Sequence, residues 1–396
     1  MARAAPGPQE RFVRPLVHAI TPGDHFSPQT GSAVPTVIDA LARSAHLDDH
    51  AGPQSVLVAK GTYPERYDSV AAVEYHQRMA PSRLQRGADL LAGRLSGARP
   101  FQQRNLHAML TEQHIWPPSI VVAHNLIQLV PLVDADRHQA VLYAHNDLFR
   151  TYSRREAAKV LDSVGPIVSV SEFLAERIRQ RLPGPLQQRV VVVPNAADCE
   201  TFTPRAAEGT AESGPLRVAF VGRVVPDKGA DVLLRAAALL KDPDLEITVV
   251  GSTGFDRGAE LSSFERTLRE LADGLKVPVS FRPFTDRNAL PGLLRSQDVL
   301  AVPSRWPEPW GLTVSEGQAA GLVVLASNIG GIPEAISDHS HLVPPDDPEA
   351  LAEQLQRFLA DRELLAEHSR SARAHAEAHD WRESWRIFQR HLAKAM

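Results

Sequence analysis

Short apolar runs alternate along this chain with longer stretches whose apolar positions recur at helical spacing, the signature of parallel α/β units. In the first half the runs at 16–20, 55–59, 120–123, 140–144, 167–170 and 190–193 read as strands. Helices are predicted over 34–44, 89–95, 156–163 and 171–181, the last with Ser171 as its N-cap. Residues 202–216 are small, polar and aperiodic, which reads as a linker. The alternation then restarts, with strands at 217–221, 246–250, 279–281, 299–302 and 323–326. Helices are expected at 230–240, 261–272, 289–296 and 312–320, and the tail from 348 is mostly helical. Two successive doubly wound sheets imply a cleft between two domains, with ligands at the carboxyl ends of strands. The expected boundaries are residues 1–205 for the first domain, 206–379 for the second, and a final helix of about 380–396 returning to the first.

A length of 396 residues suits two such domains. The net charge of −4 and the pI near 6.5 give no general attraction to nucleic acid. The single cysteine, Cys199, has no partner for a disulfide and no neighbours for a metal site. With no secretory leader pattern and no long apolar run, a cytoplasmic protein is expected.

The densest chemical signal is Pro303-Ser304-Arg305-Trp306-Pro307-Glu308-Pro309-Trp310-Gly311-Leu312-Thr313-Val314-Ser315-Glu316. A strand ends, a proline-rich loop follows and a helix starts near Gly311. Free amides and the dipole at that helix start suit an anion such as a phosphate. Glu308 before the helix and Glu316 within it place one carboxylate for a sugar and one for ribose hydroxyls. Upstream, Val221-Gly222-Arg223-Val224-Val225-Pro226-Asp227-Lys228-Gly229 sets two cations, Arg223 and Lys228, in a tight turn after a strand. Such a pair neutralises a diphosphate leaving group. The glycine spacing fits neither a P-loop nor a dinucleotide fingerprint.

Gly222-Arg223 with Lys228-Gly229, Glu308-Pro309-Trp310-Gly311-Leu312 with Glu316, Ala320-Gly321 and Gly330-Gly331-Ile332-Pro333-Glu334 together closely resemble glycosyltransferase family 4. The likeness covers the second domain in order. It reaches back to Ser171-Glu172 and to Pro194-Asn195-Ala196-Ala197-Asp198 with Phe202. It implies the GT-B fold, an α/β architecture of two Rossmann-like domains facing across a cleft, and metal-independent transfer of a sugar with retained anomeric configuration. By this resemblance Arg223 and Lys228 bind the donor diphosphate and Glu316 binds the ribose. Glu308 contacts the transferred sugar, and Gly311, Leu312 and Thr313 add backbone contacts. The base rests near Pro283 and Phe284. Gly31, within Gln29-Thr30-Gly31-Ser32-Ala33, resembles the family's N-terminal glycine loop, although Ser32 replaces its second glycine. His124, at a strand end, resembles the family histidine near the anomeric centre. Asp24, His25, His145 and Asn146 are candidate acceptor contacts at the same edge.

The leading expectation is transfer of a hexose from a nucleotide-diphosphate sugar, most readily a UDP-sugar, with no cofactor. The alternatives are a GT-B phosphorylase and a non-catalytic partner in a glycan assembly complex. His18, His25, His124 and His145 lie on separate strands without ligand spacing, so no metal is expected there. Residues 78–104 carry Arg78, Arg83, Arg86, Arg94, Arg99 and Arg104, with Leu84, Leu90, Leu91 and Leu95. A solvated helical hairpin is the commoner reading of such a stretch, and peripheral contact with an anionic membrane is the second.

Overall fold

The computed structural model describes residues 14–48, 51–205, 214–240, 243–254, 258 and 260–394. Most of the expected linker, 206–213, and the extreme ends of the expected domains, 1–13 and 395–396, lie outside the described residues.

The first sheet contains β1 (Leu16–Ala19), β2 (Gln54–Ala59), β3 (Ala71–Tyr75), β4 (Ile120–His124), β5 (Gln139–Ala144), β6 (Val164–Ser169) and β7 (Val190–Val192). The second contains β8 (Leu216–Val221), β9 (Leu245–Val250), β10 (Val279–Arg282), β11 (Val299–Val302), β12 (Val323–Ser327) and β13 (Leu342–Val343). The orders are β3-β2-β1-β4-β5-β6-β7 and β10-β9-β8-β11-β12-β13. Neighbouring strands run parallel throughout. Continuous apolar strands such as β4, buried at every position, suit sheets covered on both faces. In each sheet the strand order reverses at its first strand, β1 or β8, which is where such folds open a ligand crevice.

The covering helices of the first domain are α1 (Ala33–His46), α2 (Arg83–Ser96), α3 (Pro100–Leu106), α4 (Arg154–Val160), α5 (Glu172–Arg181) and α6 (Gly184–Gln187). Those that follow are α7 (Ala230–Leu239), α8 (Ser263–Asp273), α9 (Leu290–Arg295), α10 (Leu312–Ala319), α11 (Ile332–Ala335), α12 (Pro348–Ala360), α13 (Arg362–Ala378) and α14 (Trp381–Lys394). The Ser171 hydroxyl caps α5 by accepting from Leu174 N at 3.1 Å.

Two strands escape the hydrophobic pattern. β3 lies at the sheet edge, where Val73 and Glu74 are exposed, and β13 has two residues. Helix α2 starts at Arg83, six residues before its expected start at 89, because Ser82 and Gln85 form a capping box.

The amphipathic α14 returns to the first domain. It buries Trp381, Trp385, Phe388 and Leu392, and Phe388 packs 5.6 Å from the Tyr143 ring. Trp385 Nε1 and Gln389 Nε2 both donate to Asp48 Oδ2, at 3.2 and 2.6 Å. Between the domains, the Arg373 guanidinium donates to the carbonyls of Cys199, Phe202 and Ala319. The Glu334 carboxylate accepts from Glu172 N and Phe173 N at 2.6 and 2.7 Å, so a second-domain acid sits on the N-terminal end of α5. Finally, Arg287 N donates to Pro28 O at 3.1 Å, joining the β10–α9 loop to the β1–α1 loop.

Candidate active site

Lys228 ends a single 3₁₀ turn, Pro226–Lys228, and Gly229 follows with φ +72°. Glycine is required here for two reasons: the conformation is left-handed, and a Cβ would strike the Pro303 carbonyl. The β8–α7 turn can therefore lie directly on the loop after β11. The two loops are stitched by Arg305 N and Trp306 N, which donate to Asp227 O at 2.8 and 3.2 Å. The result is an ion pair between Lys228 Nζ and Glu308 Oε1, and Ser304 Oγ donates to the same oxygen at 2.8 Å. Glu308 is held from behind by Gly330, whose φ of +66° and missing Cβ let it pass against the Glu308 backbone, and by Gly331 N, which donates to Glu308 O at 2.7 Å. Lys228 and Glu308, eighty residues apart in sequence, thus meet at the start of α10.

Gly311 precedes α10 at φ +97°, and Leu312 and Thr313 form its first turn, where helix amides have no intrahelical acceptor. Glu316 lies in the next turn and is 2 % exposed. Its Oε1 pairs with Arg287 Nη2 at 2.6 Å, while its Oε2 has no hydrogen-bond partner. Burial opposes the charge on Arg287, and the adjacent Glu316 carboxylate outweighs it, so the guanidinium stays firmly protonated. Sequence reasoning missed Arg287. Nothing in Thr285-Asp286-Arg287 marks it, and only the β10–α9 loop brings it to Glu316. Ser304 lies within the dense motif, but no local signal marks its bond to Glu308.

Arg223 is exposed and forms no ion pair with another described residue. The structure does not bring it into the Lys228–Glu308 cluster. Pro283 lines a small cavity of about 90 Å³ with Val224, Gly251 and Arg282, at the carboxyl ends of β8, β9 and β10. Phe284 N donates to Ser252 Oγ at 3.1 Å, which fixes the loop beside it. A larger polar cavity of about 380 Å³ lies between the domains, with Arg287, Asn288 and Glu316 on one wall and Asp39, Arg43 and Tyr67 on the other.

On the first-domain side, Gly31 is exposed in the β1–α1 loop. Asp24 is partly buried and serves that loop. Its carboxylate accepts from His25 N and from Ser32 Oγ, both at 3.0 Å. Burial raises its pKa, and those two hydrogen bonds partly offset the rise. His25 accepts from Tyr63 N at 2.9 Å through Nδ1 and stacks on the Tyr63 ring at 4.1 Å. Asn146 is exposed.

His124 does not face the cleft as its strand-end position suggests. Its register partners explain why. His18 stands beside Val122 in the pairing of β1 with β4, two residues before His124 and so on the same face of the sheet. His145 follows Tyr143, the partner of His124 on β5, by the same two residues. The three imidazoles form a hydrogen-bonded row: His18 Nδ1 to His124 Nε2 at 2.9 Å, and His124 Nδ1 to His145 Nε2 at 2.9 Å. Gln54 Oε1 accepts from His18 Nε2 at 3.0 Å, so each ring carries its proton on Nε2 and donates toward Gln54. With both ring nitrogens taken and no exposed surface, His124 has no free atom for a sugar. His145 ends the row with an unpartnered Nδ1. Burial lowers all three pKa values, to about 4 for His18, to about 3 for His145 and well below normal for His124, so the row is neutral. Thus three histidines that look scattered in sequence do converge, through hydrogen bonds between their rings, while His25 stands apart.

Helix α2 carries the basic stretch. Leu84, Leu91 and Leu95 are 88 %, 65 % and 78 % exposed, and Met79 just before it is 95 % exposed. Arg99 is different, being buried in an ion pair with Glu156 at 2.7 Å. No helix among the described residues is long and apolar enough to cross a membrane.

Comparison with known proteins adds a family to this geometry. Residues 204–375 match the family "Glycosyl transferases group 1". The D-inositol 3-phosphate glycosyltransferase of Salinispora arenicola is 38% identical over 216 residues, covering 49% of this chain and 47% of that protein. Spore coat protein SA of Bacillus subtilis is 30% identical over 251 residues, covering 58% of this chain and 66% of that protein. The match thus spans about half the length of the inositol-phosphate enzymes. Among solved structures, Anabaena Alr3699/HepE in complex with UDP superposes with a TM-score of 0.71 at 17% identity, covering 96% of this chain and all of that one. Sucrose-phosphate synthase from Thermosynechococcus elongatus superposes with a TM-score of 0.72 at 19% identity over 97% of this chain and 100% of that one. At these identities the likeness is one of fold, and the fold is GT-B.

Proposed function

We infer that this chain, whose C-terminal domain belongs to the glycosyl transferases group 1 family, is a glycosyltransferase that moves a hexose from a nucleotide-diphosphate sugar to an acceptor hydroxyl with retained configuration. The observation that carries this reading is the Lys228–Glu308–Ser304 cluster at the start of α10, one helical turn before the buried Glu316. A cation, a helix start and two carboxylates are what a diphosphate bonded to a sugar and a ribose requires. The UDP bound to Anabaena Alr3699/HepE, a neighbour in fold, favours UDP as the nucleotide.

In the proposed reaction the acceptor oxygen bonds to the anomeric carbon while the bond from that carbon to the diphosphate oxygen breaks. The proton of the acceptor hydroxyl passes to the departing diphosphate, so no protein base and no metal ion is needed. Lys228 and the α10 amides stabilise the charge growing on the leaving group, and Arg223 joins them from its exposed position. Lys228 must then exchange Glu308 for phosphate, which frees Glu308 to accept from the sugar hydroxyls. Glu316 takes the ribose diol through Oε2, the oxygen that Arg287 leaves open. The pocket of Pro283 receives the base. The exposed leucines between arginines on α2 support peripheral contact with an anionic bilayer.

A thermal-shift panel of nucleotides and nucleotide sugars, followed by product mass spectrometry, tests the assignment. UDP or GDP raising the melting temperature, with a glycosylated product from the stabilising donor, is expected. Stabilisation by inorganic phosphate with none by any nucleotide would favour a phosphorylase. Silence with every nucleotide sugar would favour a non-catalytic partner.

A further inference from the structure

Away from the transfer site, the loop between α11 and β13 meets the middle of α13 through three side chains of ligand type. Asp338 Oδ2 lies 3.2 Å from His368 Nδ1 and 3.8 Å from His341 Nε2. One ligand atom from each residue falls within 4.8 Å of the other two, and no other such group is found among the described residues. His341 is 3 % exposed, and its Nε2 has no hydrogen-bond partner. A buried imidazole nitrogen without a partner is rare in native proteins and calls for an ion or a water. The Asp338 carboxylate is already oriented, because its Oδ1 accepts from Ser340 N at 2.8 Å and Oδ2 is left to face the two rings.

We propose that Asp338 Oδ2, His341 Nε2 and His368 Nδ1 bind one zinc ion, with water as the fourth ligand. The chemistry of the set favours this metal, since imidazole nitrogen with a single carboxylate suits Zn²⁺ rather than Ca²⁺ or Mg²⁺. The geometry is close to what the ion requires. Ligands about 2.0–2.1 Å from a tetrahedral centre stand about 3.3 Å apart. The Asp338–His368 distance already matches, the 3.8 Å between Asp338 Oδ2 and His341 Nε2 closes by a small turn of the partly exposed Asp338 carboxylate, and the gap between the two rings closes by rotation of the His368 side chain, which is 18 % exposed. The Phe358 ring walls the site, 5.6 Å from the His341 ring and 5.8 Å from the His368 ring.

The position of the site defines its role. Asp338 and His341 lie on the loop that follows α11, the short helix carrying Glu334, the acid seated on α5 of the first domain. His339 Nε2 bonds Pro333 O at 2.9 Å and makes that loop one unit. His368 lies on α13, which leads into α14 and back to the first domain. The ion therefore staples the segment just after α11, the helix carrying Glu334, to the helix that returns the chain, and acts on stability rather than on transfer.

The test uses the full chain freed of metal by a chelator and titrated with Zn²⁺ against a chromophoric competitor. Co²⁺ serves as a spectroscopic probe. One equivalent of Zn²⁺ is expected to bind, to raise the melting temperature, and to displace Co²⁺ with loss of the strong visible bands of a low-coordinate site. His368→Ala, on the helix surface, should weaken Zn²⁺ binding about tenfold or more and abolish the thermal gain, as should Asp338→Asn. His107→Ala, on the exposed surface of the first domain, should leave both intact, and nucleotide stabilisation of His368→Ala should equal that of the unchanged protein, which separates loss of the ion from loss of the fold and from failure of the transferase reading. Absence of binding below about 10 µM free Zn²⁺, far weaker than structural zinc sites, would overturn the proposal. So would binding that His368→Ala and Asp338→Asn leave unchanged.

Discussion

Replacing Lys228 with methionine keeps the apolar stem and removes the charge. In the structure Lys228 is paired with Glu308, and its side chain is 26 % exposed, so it is partly screened. A hydrogen bond to a charged partner contributes about 1.5–3 kcal/mol. At ~1.4 kcal/mol per tenfold, its loss corresponds to a range of about 10–150-fold in affinity for a nucleoside diphosphate. The partial exposure places the expected value in the lower part, about 10–50-fold. Titration calorimetry with UDP, and GDP in parallel, at low and moderate salt measures it. Uridine is the control, since it lacks the phosphates and should bind both proteins alike. Glu308→Gln should move the other way. It removes the carboxylate that competes for Lys228, so UDP should bind at least as well while sugar transfer falls. An affinity of Lys228→Met for UDP within twofold of the unchanged protein would refute the placement of the diphosphate at this cluster. An equal loss for uridine would refute it too.

The histidine row predicts acid sensitivity. His18, His124 and His145 titrate near 6.5 when unfolded and far lower when folded, so the unfolded chain binds more protons below pH 6.5 and stability falls as the pH falls through that window. At pH 5.5 each costs about 1.4 kcal/mol, about 4 kcal/mol together, and melting temperatures constant between pH 7.5 and 5.5 would contradict the burial. Gly229→Ala drives a Cβ into the Pro303 carbonyl at a left-handed position, so a stability loss of about 1–3 kcal/mol is expected, with weaker UDP binding because Lys228 is displaced. Calorimetric values matching the unchanged protein would show that the loop yields. For α2, sedimentation with anionic vesicles should carry the protein down in a salt-sensitive way, and Leu84→Asp with Leu91→Asp should release it without lowering the melting temperature, since both side chains are mostly exposed. A protein that stays in the supernatant would leave α2 as a solvated helix.

The sequence by itself determined the two doubly wound sheets. Apolar runs such as Val121-Val122-Ala123 and Leu300-Ala301-Val302 carry their period wherever they sit, and parallel strands buried on both faces leave little choice of partner. It also determined that Lys228, Glu308, Gly311 and Glu316 fall at the ends of strands or the starts of helices, because glycines and prolines punctuate the chain there. Edge strand β3 was not legible, since an edge has one neighbour and tolerates exposed Val73 and Glu74. Which side chains meet was decided only by the tertiary structure. The pairings of Lys228 with Glu308, Arg287 with Glu316 and Glu334 with the start of α5 join residues 80, 29 and about 162 positions apart. His124 shows the difference most clearly: its place at a strand end follows from local pattern, but its burial between His18 and His145 follows from the register of β1, β4 and β5. Register is fixed by packing across the whole sheet, and no local stretch of sequence contains it.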